Sequence, residues 1–440
     1  VLPAYSLPPR PRRSWLGPIL AALLAFAAVL TAGGGAAAVA STQGSRGSGT
    51  AAFVDEYRPN VRTPALHELL DRRAKAVRDH DQQRFFADID STDPAFAHKQ
   101  QEEFDNLGKL PLAEFRYDLA EPIQYDALIP AAIRSRYHSI VRAPAVTVRY
   151  RIDGVDTDPV AAPWTPIFGV SNGRWRLVGV VSDPQLPTGA GGQAWETGPI
   201  TVVRSARVVL VLSVGDDARA PDMLRMAEAG LDRVAAVRRG GWTGKVLITA
   251  VQDARLFTTY FAESPDRIDN FAAIAVPYYA DVPKWSTSPK YVATRVVFNP
   301  HEFSADPIEL AHDLTHEFTH AAMGSVTADS TPLWLVEGFA EYVAYKSEQV
   351  SALFPKRALE GYPTGSWPPD QDFYRDGRNY VLGWLACRMI AQKYGEAKLV
   401  ALYEASADAG AVRRVLGIDE ATLDGQYVSY VEKARSGSLP

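Results

Sequence analysis

The sequence predicts an α+β protein in three parts, and three observations carry that prediction. Residues Trp15 to Ala40 hold no charged side chain. Residues 57–183 open with helical periodicity and continue as short alternating strands. Residues 199–440 run strand, helix, strand and then several long helices, the pattern of a mixed sheet packed on helices.

The first part, residues 1–13, carries Arg10, Arg12 and Arg13, and the charge-free stretch follows directly. Its 26 residues suffice to cross a hydrocarbon core of ~30 Å. The flanking arginines place residues 1–13 in the cytoplasm and the remainder outside it. Ala38-Val39-Ala40 matches a signal-peptidase site. Two outcomes are therefore expected. Residues 14–40 form either an uncleaved N-terminal transmembrane helix, giving a single-pass cell-membrane protein, or a signal sequence cut after Ala40, giving a secreted one. A Gly/Ser-rich linker over 41–56 follows.

Residues 57–183 predict a long amphipathic helix from Pro64 to Phe86, with Leu66, Leu69, Leu70, Ala74 and Val77 on its apolar face. A second helix is expected over Pro94 to Leu107. Strands are expected over Glu114–Leu119, Ala145–Ile152, Pro166–Val170 and Arg174–Val181, the last two joined by a tight turn at Ser171-Asn172-Gly173. A long helix followed by a curved antiparallel sheet resembles the NTF2-like domains, without a motif to accompany the pattern. Such a unit either holds a ligand or serves as a spacer or cover. The Pro- and Gly-rich segment 184–198 marks a boundary.

In the third part, strands are expected over Ala206–Val214 and Lys245–Ala250, with a helix over Pro221–Arg239 between them. Arg295-Val296-Val297-Phe298 reads as a strand just before a further helix. Asp306-Pro307-Ile308-Glu309 supplies that helix with an N-cap, a proline at its first position and a capping-box glutamate. Leu310, Leu314, Phe318 and Ala321 keep helical spacing, and Gly324 ends the run.

On this helix lies His316-Glu317-Phe318-Thr319-His320. Two imidazoles four residues apart project from one face, because four residues is just over one turn. Glu337, in Trp334-Leu335-Val336-Glu337-Gly338-Phe339-Ala340-Glu341-Tyr342, falls on a second helix among apolar neighbours, where a carboxylate needs a cation. Two histidines and a carboxylate hold zinc tetrahedrally with one position left for water, and Glu317 stands beside that water as general base. Glu341, one turn later, either accepts from the outer nitrogen of a zinc histidine or is solvated. His312 and His301 are placed beside the cleft or on the surface, and His67, His80, His98 and His138 have no metal spacing.

H-E-x-x-H followed by W-L-x-E-G-x-A-E-Y resembles the gluzincin metallopeptidases, in particular the peptidase-MA-like family, over roughly residues 200–435. The resemblance implies a thermolysin-like fold, one zinc ion per chain on His316, His320 and Glu337, Glu317 as base and Glu341 as an outer carboxylate. It also implies an edge strand that pairs with extended substrate, and a tyrosine at the oxyanion. Tyr380, in Tyr380-Val381-Leu382-Gly383, matches the tyrosine of a Y-x-x-G element in related aminopeptidases, but the lysine those enzymes carry before the glycine is missing. Tyr380 is either that hydrogen-bond donor or a core tyrosine. With no G-x-M-x-N element upstream to hold a free amino terminus, the pattern leans towards an endopeptidase.

Composition fits this reading. At 47% hydrophobic residues the 440-residue chain can fill two cores. A net charge of −5 with dispersed arginines gives no case for nucleic acid. Cys387 is the sole cysteine, so no internal disulfide is available. The expected partners are a peptide or protein substrate and, through the N-terminal helix, the membrane; the oligomeric state is left open. The alternative is an inert zinc-containing scaffold of the cell envelope.

Overall fold

The computed structural model describes residues 59–138, 140–181, 192–253, 256, 272–283, 286–299, 307–350, 365–371 and 373–439. The chain begins with α1 (Pro59–Asp79), α2 (Gln82–Ala87) and α3 (Pro94–Lys109). It continues with β1 (Leu112–Gln124), α4 (Ala131–Arg136), β2 (Val141–Arg142), β3 (Pro144–Ile152), β4 (Val160–Trp164), β5 (Pro166–Ser171) and β6 (Arg174–Val180).

The apolar stripe Leu66, Leu69, Leu70, Ala74 and Val77 is buried as its spacing requires. The single helix expected over Pro64–Phe86 is two. His80 takes φ 54°, which no helix continues through, and Asp81 then caps α2 by accepting from the Arg84 amide. Asn172 and Gly173 both have positive φ and close the β5–β6 hairpin, where Ser171 pairs with Arg174.

Two expectations about the fold class need correction. The chain is α+β, but residues 57–183 do not form one curved NTF2-like sheet: the strands divide into two antiparallel three-stranded sheets, β1-β3-β4 and β2-β5-β6. Nor do the described residues supply the expected N-terminal transmembrane helix. No helix of the described residues is long and apolar enough to cross a membrane. Of these helices, α1 is long but rich in charge. Residues 14–40 and the linker 41–56 lie outside the described residues, as does most of 184–198.

The second half is built on β7 (Ile200–Arg204), β8 (Val208–Ser213), β9 (Val246–Ala250), β10 (Ala273–Tyr279) and β11 (Tyr291–Phe298). They form one mixed sheet in the order β10-β11-β9-β8-β7. β8, β9 and β11 run parallel, and the edge strands β10 and β7 are antiparallel to their neighbours. Helix α5 (Ala220–Val237) makes the crossover from β8 to β9 that a parallel pair requires. After β11 come α6 (Pro307–Met323), α7 (Leu333–Ala344), α8 (Arg378–Tyr394), α9 (Glu396–Ala405), α10 (Ala411–Leu416) and α11 (Glu420–Arg435).

Alternation along the strands gives the sheet two apolar faces. Val208, Leu210, Leu212, Ile248, Val296 and Phe298 join the core of α5 to α11. Val209, Val211, Leu247, Ile274, Val276 and Val297 instead share a core with α1, β1, β3 and β4. The sheet is thus sandwiched between the helices and the N-terminal region. In the seam with that region lies Arg295, 4% exposed. Its Nη2 donates to Asp156 Oδ2 at 2.8 Å and its Nη1 to the Tyr150 hydroxyl. Its guanidinium also lies 4.1 Å from the Tyr278 ring centre.

Candidate metal centre

Helix α6 sets the site. It presses Leu314 and Phe318 into the helical core, with Gly230 of α5 leaving room for Thr315 and Phe318: a Cβ there would stand 3.1 Å from Thr315 Oγ1. Thr315 and Thr319 satisfy their hydroxyls by donating to the carbonyls of Ala311 and Thr315. The opposite side of the helix turns His316 and His320 towards α7.

Helix α7 is buried over its whole length from Leu335 to Ala344, as expected of a helix apolar nearly all round. Its first turn is capped from a distance, because Asp370 Oδ1 accepts from the Leu333 amide at 2.8 Å. Gly338 lies against Gly383 of α8, and a Cβ on Gly338 would fall 2.3 Å from the Gly383 carbonyl. Backbone contact of this kind brings Glu337 and Tyr380 to the same place.

His316 Nε2 and His320 Nε2 are 3.0 Å apart. Glu337 Oε2 lies 3.2 Å from the first and 3.5 Å from the second. Among the described residues these three side chains converge as metal ligands do, and all are buried. A tetrahedral ion with ligands at ~2.0–2.1 Å needs ligand-to-ligand separations of ~3.3 Å, which is the size of this triangle. Glu337 is fully buried and its Oε2 meets no hydrogen-bond partner among the described residues. Burying such an oxygen is costly unless a cation faces it. The residues therefore fit zinc, whose usual donors are imidazole and carboxylate.

Around the triangle, Glu341 Oε1 is 2.9 Å from His316 Nδ1. A proton on Nδ1 shared with that carboxylate leaves the Nε2 lone pair aimed at the centre. Glu317 is 4% exposed, and its Oε2 has no hydrogen-bond partner among the described residues. Tyr380 is 1% exposed, with its ring centre 6.4 Å from that of His316. Tyr374, just before α8, donates its hydroxyl to Glu337 Oε1 at 3.2 Å.

The charges pull against burial. Burial works against ionising Glu337, yet His320 and His316 outweigh it and hold the carboxyl down at about 2. Burial also opposes a charge on His316, but Glu337 and Glu341 prevail and lift it well above the ordinary histidine range. His320 is shifted down because burial outweighs Glu337. Glu317 is pushed up to about 8 by burial, with Glu337 and Asp313 adding to it and His316 opposing. Taken together, the cluster asks for positive charge at its centre.

The structure thus brings together His316, Glu317, His320, Glu337 and Glu341, with Tyr380 alongside. His312 packs on Tyr345 with ring centres 4.2 Å apart, while His67, His80, His98 and His138 are exposed. His301 and Asp306 lie outside the described residues. Tyr374 is the residue that sequence reasoning missed. It lies in a single 3₁₀ turn, Phe373–Arg375, too short to show periodicity, and its sole signal is its place six residues before Tyr380 in an Asp/Gly/Pro-rich stretch. A cavity in the seam, lined in part by Tyr150, Gln193, Trp195 and Arg295, involves no residue of this cluster. No protein-family model and no curated protein matches the chain.

Proposed function

We propose that this protein is a zinc-dependent metallopeptidase of the gluzincin kind, acting on peptides or proteins. The observation that carries the reading is the triangle of His316 Nε2, His320 Nε2 and Glu337 Oε2, with edges of 3.0, 3.2 and 3.5 Å, next to the buried carboxyl of Glu317. Three protein ligands leave a fourth position open, the arrangement of catalytic zinc; structural zinc is closed by four.

When bound, zinc supplies a water acidic enough to attack near neutral pH and a Lewis acid for the scissile carbonyl. Glu317 accepts the proton of the attacking water and hands it to the leaving nitrogen. Glu341 holds the His316 ring in orientation through Nδ1. Tyr380 supplies a phenol near His316 for the oxyanion. The antiparallel edge strand β10 packs beside α6, so an extended substrate adds to the sheet there.

A second reading, a scaffold protein with a purely structural ion, draws on burial: His316 and His320 are 8% and 7% exposed and Glu337 0%. Glu317→Gln separates the two. The variant keeps one equivalent of zinc and loses roughly 10²–10⁴-fold in cleavage of a peptide library. A wild type that holds zinc and cleaves nothing favours the scaffold. A wild type that takes up no zinc refutes both.

A further inference from the structure

Glu337 has two oxygens with different surroundings. Oε2 faces both imidazoles, at 3.2 and 3.5 Å. Oε1 points the other way and accepts the Tyr374 hydroxyl at 3.2 Å. The tyrosine is itself held from both helices that frame the site. The carbonyl of its neighbour Phe373, a fully buried residue, accepts from Asn379 Nδ2 of α8 at 2.7 Å. Asp370, four residues earlier, caps the start of α7. The Tyr374 ring also lies against the rings of Phe373 and Tyr380, with centres 5.5 and 6.2 Å away.

A carboxylate can bind a metal ion through one oxygen or through both. Two-oxygen binding crowds the attacking water and raises the coordination number from four to five, whereas a hydrogen bond to one oxygen ties it back and leaves the other to bind alone. We infer that Tyr374 is a positioning residue: its hydroxyl holds Oε1 away from the ion, fixes Glu337 as a one-oxygen ligand and so keeps the fourth coordination site open. This inference rests on the metallopeptidase reading and assigns a residue which that reading does not use.

The test compares the full-length wild type with Tyr374→Phe, a change that keeps the ring and removes the hydroxyl. Zinc affinity is measured by chelator competition. Cobalt(II) replaces zinc so that its visible bands, strong for four ligands and weak for five, report the coordination number. The Phe variant should bind zinc about 10-fold or more weakly and show weakened cobalt bands. Its kcat should fall with KM little changed. After chelation the two proteins should unfold within a few degrees of each other, the difference being that of one lost hydrogen bond. A variant with wild-type affinity and spectrum overturns the inference. So does one that is already unstable when chelated, since that marks a scaffold contact. A wild type that takes up neither zinc nor cobalt overturns the metal reading itself, a failure distinct from both.

Discussion

The central sheet has a buried group of charges on either side, and the two are built on opposite terms. In the seam with the N-terminal region, Arg295 meets Asp156 at 2.8 Å and is covered by Tyr150 and Tyr278. One cation faces one anion, and Asp156 Oδ2 also accepts the Ile152 amide. On the helical side, Glu317, Glu337 and Glu341 surround two imidazoles, with no arginine or lysine paired to them among the described residues. The first group balances its charge and joins two layers. The second carries an excess of carboxylates among the described residues. Charge balance, rather than burial or polarity, separates the two groups.

The largest effect expected is on the balanced side. Asp156→Ala leaves Arg295 buried without its counter-ion and should cost about 3–5 kcal/mol in urea unfolding. Replacing both members with apolar residues, as in Asp156→Leu with Arg295→Met, should restore most of that loss. If the single variant costs less than ~1 kcal/mol, the seam is not a coupled pair and the contrast fails.

On the unbalanced side, an ion that binds only the folded protein stabilises it by roughly 3–4 kcal/mol at 100–1,000 times its Kd, and chelation should remove that much. The chelated protein should also respond to pH in a defined direction. Glu317, lifted from 4.5 to about 8, and His316, also lifted, bind more protons folded than unfolded. Their contribution is present at low pH and lost as pH rises, chiefly between ~4.5 and about 8. Glu337 runs the other way: its contribution is present above its unfolded value and lost as pH falls towards about 2. Chelated protein should therefore lose stability as pH rises from 5 to 8 in thermal scans, and zinc should flatten the curve. A curve that rises over that range in chelated protein contradicts the account.

A smaller effect is expected at the contact between α7 and α8. Gly338→Ala places a methyl 2.3 Å from the Gly383 backbone and must push the helices apart, at a cost of roughly 1–3 kcal/mol. Because Glu337 is the preceding residue, zinc affinity should fall with stability. Unchanged zinc affinity would show that the triangle tolerates movement of α7.

Much of this was legible in the sequence, for identifiable reasons. The metal helix announced itself through helical spacing, and the face shared by His316 and His320 follows from the pitch of a helix. The hairpin at Asn172-Gly173 followed from residues that accept positive φ. The strands that were missed are β2, β4, β7 and β10. β4 and β10 contain Pro163 and Pro277, which argue against a strand unless it lies at a sheet edge, and both do. Edge position is a tertiary fact and leaves no local trace. The division of the first sheet into two depends on long-range pairing in the same way. Tyr374 was hidden because its role comes from the α7–α8 contact, which no periodicity announces.

The shared core on the far side of the sheet also governs how this chain can be divided. The residues of the candidate metal centre all lie after position 300, which invites cutting the molecule before β7. Such a cut would strip the cover from Val209, Val211, Leu247, Ile274, Val276 and Val297, leaving a greasy slab where the intact molecule has an interior. Whatever ligand or partner the N-terminal region has, it is also the back wall of the half that holds the candidate metal centre.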